Sequence, residues 1–172
     1  SAQEGAIIKS LDYFDNVSTC GTEAWWHTYF ETIPGEPNTI ISTHEDGLYK
    51  STDCQPEEPW SYFDDVQVQS VWRLAISETD PNYMYAGWFS EGSGITHRLY
   101  KSTTGGGNNI EDWNYVGKPE EGQSIRSIAI DYDDPNLVYV AANKGVYSVN
   151  TNTSSWTSLA DNVITTGGNT MY

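Results

Sequence analysis

Basic residues are scarce in this chain. Its 172 residues include 8 lysines and arginines against 24 aspartates and glutamates, a formal net charge of −16. Nucleic acids and anionic membrane surfaces are bound through clustered lysine and arginine side chains, so the charge balance argues against both as partners. The acidic excess by itself favours solubility.

Long apolar runs are also lacking. No stretch approaches the roughly 20 apolar residues that a membrane-spanning helix needs, so no membrane span is predicted. The two cysteines, Cys20 and Cys54, form no Cys-x-x-Cys motif, and no histidine cluster accompanies them. We expect a disulfide between them, because both fall in irregular segments; two unpaired core thiols are the alternative. A disulfide would suit a secreted or cell-surface location, which is the predicted localisation.

No cofactor is predicted from the sequence. Acidic side chains beside predicted turns could bring oxygen ligands together around Ca²⁺, but none has the spacing of an EF-hand loop. Asp134, for example, is more simply the turn residue that precedes Pro135. The acidic residues in question are Asp64, Asp65, Asp131, Asp133 and Asp134.

A pattern repeated three times is the main feature that is present. Each copy has a short apolar strand, an acidic-Pro-Asn sequence, a second strand, a strand like Gly-Leu-Tyr-Lys-Ser, and a tryptophan. The prolines are 44 and 54 residues apart and the tryptophans 53 and 43. A period in this range, built from short strands, indicates propeller blades. The prolines are Pro37, Pro81 and Pro135, and the tryptophans are Trp60, Trp113 and Trp156.

Each repeat predicts a four-stranded antiparallel sheet. Asp-Pro-Asn suits a turn, since proline presets φ at the first central position and asparagine tolerates the left-handed region next to it. The segments are too short and too interrupted by turns for helices. One such sheet cannot bury both faces alone, so neighbouring sheets must stack. The predicted fold is all-β: a β-propeller, or a segment of one, with four-stranded antiparallel blades.

Three repeats are too few to close a ring, because propellers need about four to eight blades. The chain is therefore expected to be a segment of a longer chain, whose remaining blades, or other subunits, are its partners. Closure by oligomerisation is the alternative. The pattern predicts blades over 24–66, 70–119 and 124–163, a partial earlier blade over 5–17, and the start of a further blade over 164–172.

The repeat resembles the BNR or Asp-box propeller repeat, found in sialidases, the sortilin luminal domain and xyloglucan-cleaving glycoside hydrolases. That motif is roughly Ser-x-Asp-x-Gly-x-Thr-Trp. The first repeat keeps its Ser and Asp in Ser51-Thr52-Asp53. The second loses the Asp and has an insertion before Trp113, and the third keeps little beyond Trp156. The resemblance implies a propeller fold over roughly residues 24–163. It specifies no activity, because the Asp box is a structural turn in that superfamily.

Non-repeating tryptophans and arginines are the candidate ligand-binding residues. The three repeating tryptophans are predicted to pack between blades. Alignment of the repeats puts Trp26, Trp72 and Arg126 at one position near the head of the innermost strand, and His27, Arg73 and Ser127 at the next. Inner-strand ends form the usual ligand face of a propeller, tryptophan stacks on sugars, and arginine binds carboxylates. Inter-blade packing and ion pairing are the alternative. The predicted ligand-binding residues are Trp26, Trp72, Arg73, Trp88 and Arg126.

No catalytic residue is predicted. The alignment puts Glu31, Glu78 and Asp131 after the first strand of each repeat, but no carboxylate pair, nucleophile triad or arginine triad stands out. We therefore expect a secreted or cell-surface binding or scaffold module, with a glycan or a protein as its ligand. The alternatives are a fragment of a xyloglucanase-like or sialidase-like propeller hydrolase, and a structural subunit of an extracellular assembly.

Overall fold

The computed structural model describes residues 8–10, 17–19, 27–44, 47–52, 61–62, 71–90, 96–107, 110–119 and 123–161. Over these residues, the strands form three four-stranded sheets and one two-stranded sheet, all antiparallel. The prediction of an all-β chain with four-stranded antiparallel sheets is confirmed. No helix in this part of the chain is long and apolar enough to cross a membrane.

The strands follow one another in chain order within each sheet. The two-stranded sheet pairs β1 (Ile8–Ser10) with β2 (Val17–Thr19). The first four-stranded sheet contains β3 (His27–Ile33), β4 (Glu36–His44), β5 (Gly47–Ser51) and β6 (Ser61–Tyr62). The second contains β7 (Val71–Ile76), β8 (Met84–Ser90), β9 (Thr96–Ser102) and β10 (Trp113–Gly117), with a 3-10 turn at Ile110–Asp112. The third contains β11 (Ile125–Ile130), β12 (Leu137–Ala142), β13 (Gly145–Asn150) and β14 (Ser155–Asp161).

The three sheets are stacked with their first strands side by side. Strand β7 contacts β3 on one side and β11 on the other. The first strand of each sheet is thus the innermost strand, as in the blades of a propeller. This arrangement brings the beginnings of β3, β7 and β11 to one region of the molecule.

The predicted Asp-Pro-Asn turn is confirmed in the second and third sheets. The backbone N–H of Tyr83 donates to the carbonyl of Asp80 at 3.0 Å, and that of Leu137 donates to Asp134 at 2.9 Å. In each turn the aspartate Oδ1 also accepts the backbone N–H of the asparagine two residues later, at 3.1 and 2.9 Å. These aspartates therefore satisfy backbone donors that the turn would otherwise leave unpaired.

In the first sheet the turn prediction is wrong. Pro37 and Asn38 lie inside β4, and the chain instead reverses at Pro34 and Gly35. Gly35 has a φ of 83°, a conformation that glycine adopts without the steric cost of a side chain. The tight Pro-Gly turn lengthens the hairpin, so β3 continues through Ile33.

Apolar side chains fill the two spaces between adjacent sheets. Successive residues of a strand point to opposite faces, so Met84 and Ala86 of β8 pack toward the first sheet while Tyr85 packs toward the third. The cluster between the first and second sheets contains Ile33, Ile41, Leu48, Val71, Leu74, Met84, Ala86 and Trp113. The cluster between the second and third contains Tyr85, Leu99, Val116, Ile125, Val138, Val140 and Val149.

The repeating tryptophans take part in this packing. Trp113 is 5% exposed and lies in the first cluster. Trp156 is half-buried and packs against the second. The predicted packing role is confirmed for both, while Trp60 lies outside the described residues. Cys20 and Cys54 also lie outside them, so their disulfide stays a prediction, and residues 164–172 fall outside them too.

Tyr85 joins the second sheet to the third through its hydroxyl. The side chain is fully buried, and the hydroxyl donates to the carbonyl of Pro135 at 2.7 Å and lies 3.0 Å from Thr151 Oγ1. Burial disfavours the phenolate and raises the pKa of Tyr85 to about 12.

Alkaline pH will therefore weaken this contact. Between the unfolded pKa of about 10 and the folded pKa, only the unfolded state loses the proton, so stability falls as the pH rises. We expect a loss of about 2 kcal/mol attributable to Tyr85 between pH 10 and 12, and the full contribution to be present below pH 10. Urea unfolding across this range measures it, with Tyr85→Phe as the control. An unchanged slope in Tyr85→Phe would contradict the assignment.

Candidate functional site

The first strands of the three four-stranded sheets share an irregularity near their beginnings. In β7, Val71 pairs with Trp88 and Arg73 with Gly87, which leaves Trp72 as an extra residue in the strand. Strand β11 has the same bulge at Arg126, and β3 has it at Thr28. Such bulges re-aim side chains and recur next to functional sites.

The register corrects one part of the sequence alignment. Trp72 and Arg126 occupy equivalent positions, as predicted, but the third member of the set is Thr28 and not Trp26. Arg73 is likewise equivalent to Tyr29 rather than His27. The signal was present in the sequence: each bulged residue precedes the proline of its repeat by nine positions. The alignment matches Trp26 with Trp72 by residue type, whereas the spacing to the proline matches Thr28 with Trp72.

Arg73 contacts both neighbouring first strands. Its Nε donates to the carbonyl of Arg126 in β11 at 2.6 Å. On the other side, its guanidinium carbon lies 5.9 Å from the ring centre of Tyr29 in β3, within cation–π range. One half-buried side chain of β7 thus links all three sheets at the inner edge.

Tyr29 belongs to this site although sequence reasoning missed it. The residue is 38% exposed, and its hydroxyl donates to Glu31 Oε1 at 2.8 Å. The hydrogen bond to Glu31, followed by partial burial and the negative charge of that carboxylate, raises the pKa of Tyr29. The phenol is therefore held neutral, with the nearby Arg73 opposing the shift.

Arg126 extends the site toward the third sheet. The residue is exposed, and its Nε donates to Asn143 Oδ1 at 2.6 Å. Asn143 lies in the turn between β12 and β13, at the end of the sheet where β11 begins. A side-chain amide thus fixes the direction of a solvent-exposed guanidinium.

The predicted tryptophans are placed only in part. Trp72 follows Val71 in β7, and Trp88 pairs with Val71 across the sheet, so their backbones lie at the same end as Arg73. Trp26 lies outside the described residues. Strand β8 ends at Ser90 and β9 begins at Thr96, at this same end of the second sheet.

The candidate carboxylates do not share one position. Glu31 lies inside β3, paired with Ile41, at the position that Ala75 and Ala129 occupy in the other sheets. Asp131 instead accepts the backbone N–H groups of the two residues at 133 and 134, at 3.0 and 3.2 Å. The alignment of Glu31 with Glu78 and Asp131 is therefore wrong, because β3 continues past Glu31 to Ile33.

Within the residues that the structure describes, no group of three or more His, Cys, Asp or Glu side chains is placed to hold a metal ion. What the site offers is two guanidinium groups, a phenol ring, a carboxylate and an amide. The guanidinium and amide groups can donate to hydroxyl or carboxylate oxygens, the carboxylate accepts hydrogen bonds, and the phenol ring provides a stacking face.

Comparisons with known proteins give relatives by structure alone. No protein-family model and no curated relative matches the sequence. An ancestral GH74 enzyme matches with a TM-score of 0.70 and 21% identity, over 91% of this chain and 21% of its own. The GH74 enzyme of Niastella koreensis matches with a TM-score of 0.66 and 17% identity, over 92% of this chain and 26% of its own.

A third solved structure is similar over a shorter part. The GH74 xyloglucanase of Xanthomonas campestris matches with a TM-score of 0.51 and 15% identity, over 69% of this chain and 20% of its own. The chain thus spans about a fifth to a quarter of the length of these enzymes. At such identities the likeness shows the fold, which is a β-propeller, or a segment of one, built from four-stranded antiparallel sheets.

Proposed function

We propose that this chain is part of a secreted or cell-surface β-propeller that binds a glycan at the ends of its inner strands. The observation that carries the proposal is Arg73, which joins Tyr29 of one sheet to Arg126 of another. Inner-strand ends are the usual ligand face of a propeller. The three structural relatives described above are GH74 enzymes, and one of them is a xyloglucanase, which supports a polysaccharide as the ligand class.

The chemistry of the site suits a neutral polysaccharide. Sugar rings combine apolar faces with many hydroxyl groups, so they are bound by aromatic stacking together with a few directed hydrogen bonds. Tyr29 is partly exposed and Arg126 is exposed, so both are accessible for such contacts. Glu31 adds an acceptor beside Tyr29 for a sugar hydroxyl.

Binding without turnover is the favoured form of the proposal. Hydrolysis of a glycosidic bond requires two carboxyl groups held within about 5–10 Å of each other on either side of the bond. Asp131 is committed to a turn by its backbone hydrogen bonds, and Glu31 lies at the centre of β3. A segment of a polysaccharide hydrolase is the second candidate, supported by the GH74 relatives.

Retention on immobilised xyloglucan tests the proposal. We expect Arg73→Ala and Arg126→Ala to weaken binding by roughly 10–100-fold, because each removes a charged hydrogen-bond donor. Lys50→Ala is the matched control, since it removes one positive charge from β5, the third strand of the first sheet. Equal retention of all variants would refute the site.

The same material separates binding from hydrolysis. Incubation with soluble xyloglucan should release no reducing sugar if the chain only binds. If reducing sugar is released, and Glu31→Gln or Asp131→Asn abolishes the release, the binding proposal is wrong and the chain is part of a polysaccharide hydrolase. If the chain is neither retained on xyloglucan nor releases sugar from it, the results would favour a structural role in an extracellular assembly.

A further inference from the structure

One face of the third sheet carries four apolar side chains that are exposed or half-buried. Leu159 is 53% exposed and Tyr139 is 36% exposed, Ala129 is exposed, and Val146 is half-buried. We call these four residues the open face. They lie on β11, β12, β13 and β14, one on each strand.

Strand register identifies the counterpart of the open face in the second sheet. The pair of Tyr139 with Ala129 in the third sheet is equivalent to the pair of Tyr85 with Ala75 in the second. On the third strands, Leu99 of the second sheet corresponds to Val146 of the third, because Leu99 pairs with Gly117 and Val146 pairs with Ala160. On the fourth strands, Val116 corresponds to Leu159, because each is the residue immediately before that glycine or alanine. The counterparts of Ala129, Tyr139, Val146 and Leu159 are therefore Ala75, Tyr85, Leu99 and Val116.

These counterparts are buried, with 8%, 0%, 0% and 5% of their surfaces exposed in the same order. Tyr85, Leu99 and Val116 are members of the cluster against which the third sheet packs. In the first sheet, the positions of Tyr85 and Leu99 are held by Ile41 and Leu48, both fully buried. A neighbouring sheet thus covers all four positions in the second sheet and two of them in the first, whereas in the third sheet the four residues are exposed or half-buried.

We propose that the open face is an interface that receives one further four-stranded sheet of the same repeat. This inference rests on the repeated packing and is independent of the proposed glycan site. Continuity with the two existing interfaces supports it, as does the apolar character of an exposed patch on all four strands. A sheet that docks there would bring aliphatic residues on its first two strands, as Ile125, Val138 and Val140 do against the second sheet.

Two differences define what the docking sheet must look like. Gly87 and Gly117 of the second sheet leave room for Ile125 and Trp156 of the third. Their counterparts on the open face are Ala141 and Ala160, which carry a Cβ. The docking sheet must therefore present smaller side chains, or a small displacement, at the positions of Ile125 and Trp156.

The tyrosine hydroxyl gives a polar requirement as well. Tyr85 donates to the carbonyl of Pro135 in the next sheet. The hydroxyl of Tyr139 lies 3.5 Å from Asp131 Oδ2 of its own sheet. The docking sheet would supply a carbonyl from its first turn, and Tyr139 would exchange its intramolecular partner for it.

An extended chain tests the proposal. A second copy of 118–161 is placed directly after Asp161, in place of 162–172, which reproduces the connection between the second and third sheets. Ala141→Gly and Ala160→Gly in the first copy give the added copies of Ile125 and Trp156 the room that Gly87 and Gly117 give these two residues against the second sheet. In the added copy, Tyr139→Phe distinguishes its peptides by mass. Hydroxyl-radical labelling then reports the exposure of Tyr139 and Leu159 in the first copy.

We expect labelling of Tyr139 and Leu159 to fall several-fold in the extended chain, to the level of Tyr85 and Leu99 in the same sample. Leu159→Lys in the first copy should abolish the protection of Tyr139. Unchanged labelling overturns the proposal, whether or not the added copy folds. Protection of Tyr139 that rises with the concentration of the 172-residue chain also overturns it, because a second copy of the chain would then be the occupant.

Discussion

Replacing Leu99 by alanine will lower the free energy of unfolding by about 2–5 kcal/mol, as deletion of a fully buried leucine does. Leu99 is fully buried between the second and third sheets. The loss combines the transfer of apolar surface to water with a cavity that rigid strands on both sides cannot close. Urea unfolding, followed by tryptophan fluorescence, measures the effect.

Val146→Ala is the matched control, because Val146 holds the equivalent position on the open face and is half-buried. We expect it to cost less than about 1 kcal/mol, since little buried surface and no cavity are involved. A similar loss for both variants would contradict the difference in burial between the two positions. The comparison therefore measures how much a neighbouring sheet contributes to the free energy of unfolding at one position of the repeat.

Much of the fold could be predicted because its determinants are local and periodic. The spacing of Pro81 and Pro135 and of the tryptophans identified the repeat, and Asp-Pro-Asn has a turn chemistry that acts within four residues. Four strands per repeat followed from turn positions. These features depend on neighbours in the chain and are visible without knowledge of the packing.

The first repeat shows where local signals mislead. Pro37 and Asn38 have the residue types of the later turns, but Pro34 and Gly35 form a tighter reversal a few residues earlier. Gly35 takes a positive φ at no steric cost, so this turn forms and draws the later pair into β4. Two candidate turns compete there, and the sequence alone does not rank their energies.

In the second repeat, an aspartate at the far end of the insertion takes the place of the aspartate that this copy of the motif lacks. The resemblance indicated that the Asp of the motif is lost, but Asp112 Oδ1 accepts the hydroxyl of Thr104 at 3.3 Å. Ser102 Oγ accepts the backbone N–H groups of Thr104 and Gly106 at 3.2 and 3.1 Å. Gly107 has a φ of 57°, and a Cβ there would overlap Asp112. The aspartate thus reaches the turn from the other end of the insertion, which spacing does not reveal.

The candidate site was predicted by position but not by contact. The convergence of inner-strand ends in a propeller predicts a site at Arg73 and Arg126, and the structure does bring these two residues together. Arg73 contacts the backbone carbonyl of Arg126 and the ring of Tyr29, and neither contact can be predicted from residue type. Side-chain reach across two sheets depends on their separation, and only the folded structure supplies that distance.

Gly117→Ala will be among the most damaging single-methyl changes, with an expected cost of about 2–5 kcal/mol. Gly117 has a φ of 151°, a region that a residue with a side chain rarely adopts. An added Cβ would also overlap Nε1 of Trp156 and lie 3.2 Å from its Cε2. Backbone strain and overpacking therefore add at one position, where the fourth strands of the second and third sheets approach each other.

A double-mutant cycle with Trp156→Ala separates the two causes. Removal of the indole eliminates the overlap but leaves the backbone strain, so Gly117→Ala should cost only about 1–2 kcal/mol in that background. The expected coupling between the positions is about 1–3 kcal/mol, measured by urea unfolding of the four proteins. Strictly additive losses would show that the glycine is required for its backbone conformation alone. Coupling of the expected size would instead show that the third sheet's tryptophan selects glycine in its neighbour, and Ala160 of the open face would then exclude a tryptophan docked in the same way.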